Sequence, residues 1–240
     1  MKKFFLCIIF LFLLQKNSYS QDLPIHIAEE IKEKNYSINL LYADSYSVET
    51  KVAGGEYRFE IKVNFLEKGN GFISELYIQH LSGFNPAIIS GIVPWGETAH
   101  SHDIGGLLGY RFNLNSFGIS PYIKGRGFIT RGRGGDNIYG PEFGLNFEWK
   151  IYPEITHLNV KYGLMIPLIH RYTGETDIVQ AHSFLLNSFD IRLSYRFLEN
   201  WDAITGFQLR QLPKYLGNSN LVTKDILQWN SFLLGIAYLF

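Results

Sequence analysis

Cysteine is almost absent from this 240-residue sequence, and its single copy, Cys7, lies among the first ten residues. This cysteine falls in a segment predicted to be removed on export, so we expect no disulfide bond in the mature chain. Long apolar runs are missing too, because no segment after residue 20 approaches the 18 uninterrupted apolar residues of a membrane-spanning helix. Neither a disulfide scaffold nor a helical membrane domain is therefore supported.

Residues 1–20 are predicted to form a secretory signal peptide. Lys2 and Lys3 supply its positive start, residues 4–14 its apolar segment, and residues 18–20 a small-x-small cleavage site. An apolar segment of about eleven residues is too short for a bilayer anchor, which needs roughly 20. Without residues 1–20 the chain has 19 basic and 22 acidic residues, a formal charge of −3. Residues 21–35 are interpreted as a periplasmic segment that precedes the folded domain.

Motifs for cofactors and nucleic acids are also missing. The glycine-rich segment RGRGGD (131–136) lacks the Lys-Ser/Thr pair and the strand-to-helix context of a phosphate loop. We therefore predict no cofactor, no resident metal and no nucleic-acid partner. We interpret 131–136 as a flexible surface loop in which Arg131 and Arg133 could meet lipopolysaccharide phosphates.

What the sequence does contain is apolar residues in alternation. In 185–197 the odd positions are mainly apolar, while the even positions include Asp190, Arg192 and Arg196. A period of two places one set on each face of a β-strand, and a helix cannot do this. The same pattern recurs in other segments of the chain. The ten predicted strands lie near 36–43, 55–65, 72–81, 105–112, 117–129, 141–151, 156–169, 185–197, 201–212 and 228–240.

The connections between these strands alternate between short and long. The long loops are predicted at 44–54, 82–104, 130–140, 170–184 and 213–227. Short turns at one end and long loops at the other are typical of an up-and-down meander in a transmembrane barrel. We therefore predict an all-β fold over residues 36–240. It is a transmembrane antiparallel β-barrel of about ten strands, with eight as the alternative, short periplasmic turns and long extracellular loops.

A soluble lipocalin-like barrel is the competing fold, and the large aromatic residues disfavour it. Aromatics make up 16% of the sequence. On the predicted topology many of them fall beside the short turns, at one level of the barrel. Membrane interfaces select aromatic side chains at the headgroup level, whereas a globular core has no reason to sort them by height. These aromatic residues are Tyr36, Phe65, Phe72, Phe112, Phe117, Trp149, Phe197, Trp201 and Phe240.

The last strand carries a resemblance to a known class. One of its faces presents Phe232, Leu234, Ile236, Tyr238 and Phe240. This strand resembles the C-terminal strand of bacterial outer-membrane β-barrel proteins, which is apolar outward and ends on an aromatic residue. The resemblance implies a Gram-negative outer-membrane location, contact with outer-membrane lipid and lipopolysaccharide, and recognition by the barrel-assembly machinery.

Residues on the opposite faces of the strands are predicted to line the lumen as an ion-pair network. A ten-stranded barrel is narrow, so long side chains of both signs are expected to occlude it. With seven acids against ten bases, a thin anion-preferring channel is the alternative. The predicted network comprises Glu56, Arg58, Glu60, Lys62, Lys124, Arg126, Glu142, Glu148, Lys161, Asp190, Arg192, Arg196 and Arg210, with Glu75, Asp202, Arg111 and Lys150.

Two histidine-containing segments could support catalysis at the rim. The candidates are His100 and Ser101, and His182 and Ser183. A serine activated by a histidine could release acyl chains from lipid A or phospholipid, but neighbouring residues in an extended segment point to opposite sides. His100, His102 and Asp103 together would suit a metal only weakly. We therefore rank a structural or surface-interaction role first, a rim acyl hydrolase or acyltransferase second, and a channel third.

Overall fold

The computed structural model describes residues 36–47, 53–67, 69–82, 100–131, 135–152, 155–173, 177–180, 185–213 and 226–240. Predictions about residues 1–20 and 21–35 lie outside this part of the chain. No helix in the described ranges is long and apolar enough to cross a membrane. The strands are β1 Tyr36–Ser47, β2 Ala53–Glu67, β3 Asn70–Ser82, β4 His100–Leu114, β5 Phe117–Arg131, β6 Gly135–Tyr152, β7 Thr156–Met165, β8 Ile169–Thr173, β9 Asp177–Gln180, β10 Leu186–Leu198, β11 Trp201–Pro213 and β12 Ile226–Leu239.

Ten of these strands form a closed antiparallel barrel. Each pairs with its neighbours along the chain, β7 pairs with β10, and β12 closes the ring by pairing with β1. The closing register runs from Ser37 opposite Leu239 to Ser47 opposite Trp229. Closure leaves no sheet edge in the ring, so the backbone groups find partners where a bilayer offers none. The predicted ten-stranded all-β barrel is confirmed, and the eight-stranded alternative is excluded.

The remaining two strands extend the wall at the long-loop end. β8 pairs with residues 135–139 of β6, and β9 pairs with β8. The predicted loop 170–184 therefore contains a strand hairpin. The predicted strand 156–169 instead stops at Met165, and Pro167 lies between β7 and β8. Proline has no N–H to donate to a ladder, which accounts for this break.

Two other predicted long loops are largely strand. Only residues 48–52 separate β1 from β2, and only 132–134 separate β5 from β6. Arg131 ends β5 and Gly135 begins β6, so Arg131, Gly135 and Asp136 of the segment interpreted as a flexible loop belong to the sheet, and residues 132–134 lie outside the described residues. The reason is that ladder hydrogen bonds join backbones, and residues 137–139 of β6 pair with β5 despite the glycines beside them.

The strands keep the predicted alternation between an apolar outer face and a polar inner face. On β10, Asp190 and Arg192 are buried inside, while Phe189, Ile191 and Leu193 occupy the opposite face. Side chains large and apolar enough to contact lipid are exposed around the ring, among them Phe59, Leu108 and Phe143. A closed antiparallel barrel that is apolar outside and polar inside is the architecture of outer-membrane β-barrels.

The short turns carry a ring of outward aromatic side chains, which we call the turn girdle. Its contacts include Phe117 stacked on Trp149 at 5.7 Å between ring centroids, and Trp201 against Tyr238 at 4.9 Å. The exposed members are Tyr36, Phe65, Phe72, Phe112, Phe117, Trp149, Phe197 and Phe240. Exposed tyrosines also stand near the long-loop end, so outward aromatic side chains occur at both ends of the barrel and not only at the turns; they include Tyr42, Tyr46, Tyr57 and Tyr139.

The turns themselves explain why the meander reverses where it does. Gly69, between β2 and β3, has a φ of +78°, a conformation that glycine adopts without steric cost. Asn115, between β4 and β5, has a φ of 60°, and asparagine tolerates this left-handed region better than most residues. Both turns therefore have residues suited to a tight reversal.

Candidate functional site

The candidate site is the lumen, where ten strands direct charged side chains inward. The structure places Glu148, Lys62, Lys124, Lys161 and Arg196 there as partly buried side chains. The inner positions follow from the alternation, because a strand that presents apolar residues to lipid must send the intervening residues inside. The buried charged residues are Glu56, Arg58, Glu60, Glu75, Asp103, Arg111, Arg126, Glu142, Asp190, Arg192, Asp202 and Arg210.

One half of the network is centred on Asp103. Arg126 donates to both of its carboxylate oxygens, at 3.1 and 2.6 Å, and the Tyr77 hydroxyl donates at 2.8 Å. Arg210 reaches the same carboxylate at 3.4 Å and Glu56 at 2.5 Å. Because Asp103 is on β4 and Arg210 on β11, this contact crosses the bore.

Glu142 extends this half along the wall. Its carboxylate accepts from Lys124 at 3.2 Å and from the Tyr122 hydroxyl at 3.1 Å, and Arg126 lies 3.5 Å away. Glu56 in turn accepts from the indole of Trp229 at 2.8 Å. Every carboxylate in this half thus has at least one cationic partner and a neutral donor, which is the condition under which burial of charge is tolerated.

The other half is centred on Glu60. Arg58 and Arg192 both contact its carboxylate, at 2.5 and 2.8 Å, and Asn39 donates to it at 2.8 Å. Arg192 also forms a two-pronged pair with Asp190, at 2.8 and 2.5 Å. Arg192 therefore links β10 to β2 across the lumen, with the fork geometry that suits arginine to carboxylates.

A third contact crosses the bore between Glu75 on β3 and Lys161 on β7. Glu75 also lies 3.4 Å from Arg58, and the Arg58 guanidinium stands 4.1 Å from the centre of the Tyr77 ring. Arg58 therefore joins both halves of the network. Charged side chains thus connect three pairs of strands, and the two strands of each pair are not neighbours in the ring.

Smaller ion pairs lie near the turns and join strands that are neighbours in the ring or one strand apart. Arg196 contacts Asp202 at 2.9 Å between β10 and β11. Arg111 contacts Glu148 at 3.2 Å, and His157 lies 3.8 Å from the same carboxylate. These pairs are more exposed to water than the cross-bore contacts, so each is expected to contribute less.

Apolar side chains fill the rest of the lumen. Phe128, Ile138, Met165 and Leu186 are completely or almost completely buried toward the long-loop end. Leu41, Ile204 and Ala237 form a buried cluster toward the turns. Buried apolar side chains therefore pack beside the charged network toward both ends of the lumen.

The open space in the centre of the lumen is minimal. A cavity of about 20 Å³ lies among Lys124, Lys161, Glu142 and Gln208. One water molecule needs at least about 10–15 Å³ by this measure, so the cavity has room for roughly one. The Gln208 carboxamide oxygen has no hydrogen-bond partner within the described protein and suits a donor in this cavity.

Asp103 is the inner residue that sequence reasoning misplaced. Asp103 falls in the predicted long loop 82–104, so it is expected at the rim with His100 and His102. The structure instead extends β4 upward to His100 and buries Asp103 among arginines. Every second residue of β4 faces inward, and counting back in this way from Arg111 leads to Asp103. Asp103 is an eighth acid against ten bases in the lumen, which weakens the predicted preference for anions.

The catalytic candidates are not brought together in the described part of the chain. Ser101 is fully buried and faces the lumen, whereas the next residue, His102, faces outward beside His80. His182 and Ser183 lie outside the described residues, as does the side chain of His100. Among the described residues, no group of three or more His, Cys, Asp or Glu side chains could hold a metal ion.

Comparison with known proteins finds the fold and no family. The sequence matches no protein-family model and none of the curated proteins. Among solved structures, the outer membrane protease OmpT from Escherichia coli aligns with 12% identity and a TM-score of 0.49, covering 88% of this chain and 99% of its own. The translocator domain of the autotransporter NalP from Neisseria meningitidis aligns with 11% identity and a TM-score of 0.45, covering 90% and 92%.

Neisserial surface protein A aligns with 12% identity and a TM-score of 0.36, covering 85% of this chain and 96% of its own. Distant likenesses of this kind assign no activity to the chain.

Proposed function

We propose that this protein is a closed, non-conducting outer-membrane barrel with a structural or surface-interaction role. The observation that carries the proposal is the network that ties β2 to β10, β3 to β7 and β4 to β11 across the lumen. A barrel that is filled by its own side chains offers a rigid support, and its interactions then occur at the long-loop end and at the lipid-facing wall.

The network resists opening because each charge depends on its partners. Separating Arg192 from Glu60, for example, would leave two charges buried with fewer hydrogen bonds. Leaving a buried charge without its partner typically costs about 3–5 kcal/mol. A path for ions would require several such separations at once. The resting barrel is therefore expected to be closed.

A narrow channel is the less favoured function. The central space holds roughly one water molecule by volume. The acids and bases that line it are also nearly balanced, so the field inside favours neither anions nor cations strongly. Electrophysiology can separate the two functions directly.

The test is ion conductance of the purified barrel in planar bilayers. Wild type is expected to show no steady conductance. A variant that combines Glu60→Ala, Glu75→Ala, Lys161→Ala and Arg192→Ala keeps the net charge but removes two cross-bore contacts, and we expect it to leak ions. Arg196→Ala with Asp202→Ala removes a pair between neighbouring strands and should remain silent. Steady conductance of the wild type would contradict the proposal.

A rim acyl hydrolase remains a separate prediction with its own assay. The described residues provide no serine and histidine facing each other at the membrane edge, and Ser101 points into the lumen. We expect no acyl release from lipid A or phospholipid in asymmetric outer-membrane vesicles. Acyl release that disappears in His182→Ala or His100→Ala would overturn this ranking. The barrel-assembly machinery and lipopolysaccharide likewise remain proposed partners.

A further inference from the structure

A row of polar aromatic and imidazole side chains crosses the lipid-facing wall near the long-loop end. Tyr42, Tyr57, His80 and His102 stand opposite one another on β1, β2, β3 and β4. The rings of Tyr42 and Tyr57 are 5.4 Å apart, and those of His80 and His102 are 4.9 Å apart. We call these four residues the headgroup row. On the same strands, the outward residues of the next two rows toward the turns are apolar.

The histidine end of this row corresponds to the outer boundary of the membrane. His80 follows Phe72 of the turn girdle by eight residues along β3, which is roughly 20 Å of height at about 3.3 Å per residue and a strand tilt of about 40°. By the same measure His102, ten residues from the girdle on β4, lies about 25 Å above it, and Tyr42, six residues from it on β1, about 15 Å. The apolar band of such barrels is about 25 Å tall, so the row slopes upward from the hydrocarbon and its histidine end reaches the outer-leaflet headgroups.

Two grooves lie directly beneath the headgroup row. One has a volume of about 610 Å³ and runs between Leu40 and Leu234 on one side and Ile78 on the other. The second, of about 600 Å³, is bounded by Leu76 and Tyr139. Phe59 and Ile78 form a ridge between the grooves, since both residues line each of them. The grooves are open to the side and face the hydrocarbon.

Glycines form the floor of the second groove. Gly125 has no atom within 4 Å of the position that a Cβ would occupy, and at Gly127 a Cβ would come within 3.0 Å of the Tyr139 ring. Larger residues at these two positions would therefore fill the groove. The wall is recessed here because two outward positions of β5 carry no side chain.

We propose that this face binds one lipid A molecule, with acyl chains in the two grooves and the phosphorylated sugar headgroup on the headgroup row. Imidazole N–H groups of His80 and His102 would donate to phosphate. Asp44, which accepts a hydrogen bond from Tyr42 at 2.7 Å, would also accept hydrogen bonds from sugar hydroxyl groups. Its negative charge would disfavour phosphate at the β1 end of the row. Two adjacent grooves under one polar row match a lipid with several chains on one headgroup.

The width of the row distinguishes lipid A from a phospholipid. Four neighbouring strands spaced by about 4.8 Å span roughly 14 Å. A phosphoethanolamine headgroup, in which a single ethylene unit separates phosphate from ammonium, cannot reach from the histidine pair to Asp44. A phosphorylated disaccharide can. The proposal requires the outer-membrane location but not a closed lumen, so the conductance experiment and the lipid experiment can fail independently.

The test is the lipid retained by the barrel when it is purified from outer membranes in mild detergent and analysed by native mass spectrometry. Wild type is expected to keep one lipid A-containing molecule per barrel. Gly125→Leu fills the second groove, and His80→Leu combined with His102→Leu removes the N–H donors of both imidazoles. Each variant is expected to reduce retention at least five-fold. Val160→Leu, an outward enlargement on β7, a strand that lines neither groove, is the control and should retain as much as wild type.

Folding is checked for every variant by the shift in gel mobility between heated and unheated samples. If Gly125→Leu does not fold, the histidine variant decides the question. Equal retention by wild type and the folded variants would overturn the proposal. Preferential retention of phospholipid by the wild type would overturn it as well, because the row would then not select for a sugar headgroup.

Discussion

The inner and outer faces of the same ten strands obey different rules. Leu107 and Leu108 are consecutive residues of β4, yet Leu107 is 4% exposed inside the barrel and Leu108 is 65% exposed outside it. Inside, each charged side chain depends on particular partners at fixed distances. Outside, fluid lipid adapts to any apolar side chain. The same set of paired strands therefore holds an interior in which side chains need particular partners and an outer face on which many apolar substitutions are tolerated.

The physical reason lies in what surrounds each face. Glu60 is completely buried, so its charge relies on Arg58, Arg192 and Asn39 for the interactions that water would otherwise supply. The outer face needs no partners for its apolar groups, because hydrocarbon solvates them. Hydrocarbon does not solvate polar groups, so a polar side chain on the outer face lowers the stability of the barrel, whereas an apolar side chain there has little effect on it.

The largest expected effect comes from removing one member of the cross-bore network. Glu60→Ala leaves Arg58 and Arg192 buried without their shared carboxylate, and should lower the free energy of unfolding by about 3–5 kcal/mol. Urea titration of the barrel in lipid vesicles measures this. Combining it with Arg192→Ala should cost less than the sum of the two single changes. Additive costs would show that the two side chains are not coupled.

The adjacent leucines of β4 test the comparison most directly. Leu107→Ala opens a hole among packed inner side chains and should cost about 2–5 kcal/mol. Leu108→Ala leaves a gap that lipid can fill, so its cost should be clearly smaller. The same urea titration applies to both. Equal costs would mean that the inner wall is no more tightly packed than the lipid-facing one.

A charge on the outer face should be destabilising where a charge inside is required. Ile191→Arg places a guanidinium in hydrocarbon and should cost about 2–4 kcal/mol if it lies near the midplane of the bilayer. The neighbouring Arg192 is native and faces inward. Ile191→Val serves as the conservative control. Wild-type stability of Ile191→Arg would indicate that β10 is shifted by one residue from the observed register.

The smallest effect is expected at the ion pair near the turns. Asp202→Asn keeps the shape of the side chain but weakens its contact with Arg196, which water can partly replace, so the cost should be about 1 kcal/mol or less. Unfolding at low and high salt provides the check, because a partly exposed pair is screened. If Asp202→Asn lowered the free energy of unfolding as much as Glu60→Ala, pairs between neighbouring strands would contribute as much to stability as pairs across the bore.

Much of the fold could be predicted because strand faces are a local property. The alternation in 185–197 places Asp190 and Arg192 on one side and Ile191 on the other, whatever the rest of the chain does. Loop lengths were less predictable. Residues 135–139 look like a loop by composition, but β8 pairs with all five of them and β5 pairs with residues 137–139 on the other side.

The position of Asp103 in the candidate site could not be predicted from short sequence patterns. Gly105, Gly106 and Gly109 interrupt the alternation of β4, so the upper part of this strand gave no clear pattern and Asp103 was grouped with the rim histidines. Its neighbours Arg126 and Tyr77 are 23 and 26 residues away in the sequence, and Arg210 is 107 residues away. No short-range pattern contains that information.

The sequence by itself determined the period of two, the apolar outer face and the approximate positions of the ten strands, because each depends on residues a few positions apart. Only the tertiary structure decided which charges meet. The pairing of Glu60 with Arg192 joins positions 132 residues apart and depends on how the ring closes and how its strands are staggered. Closure is a property of all ten strands together, so the partners across the lumen appear only once the barrel is complete.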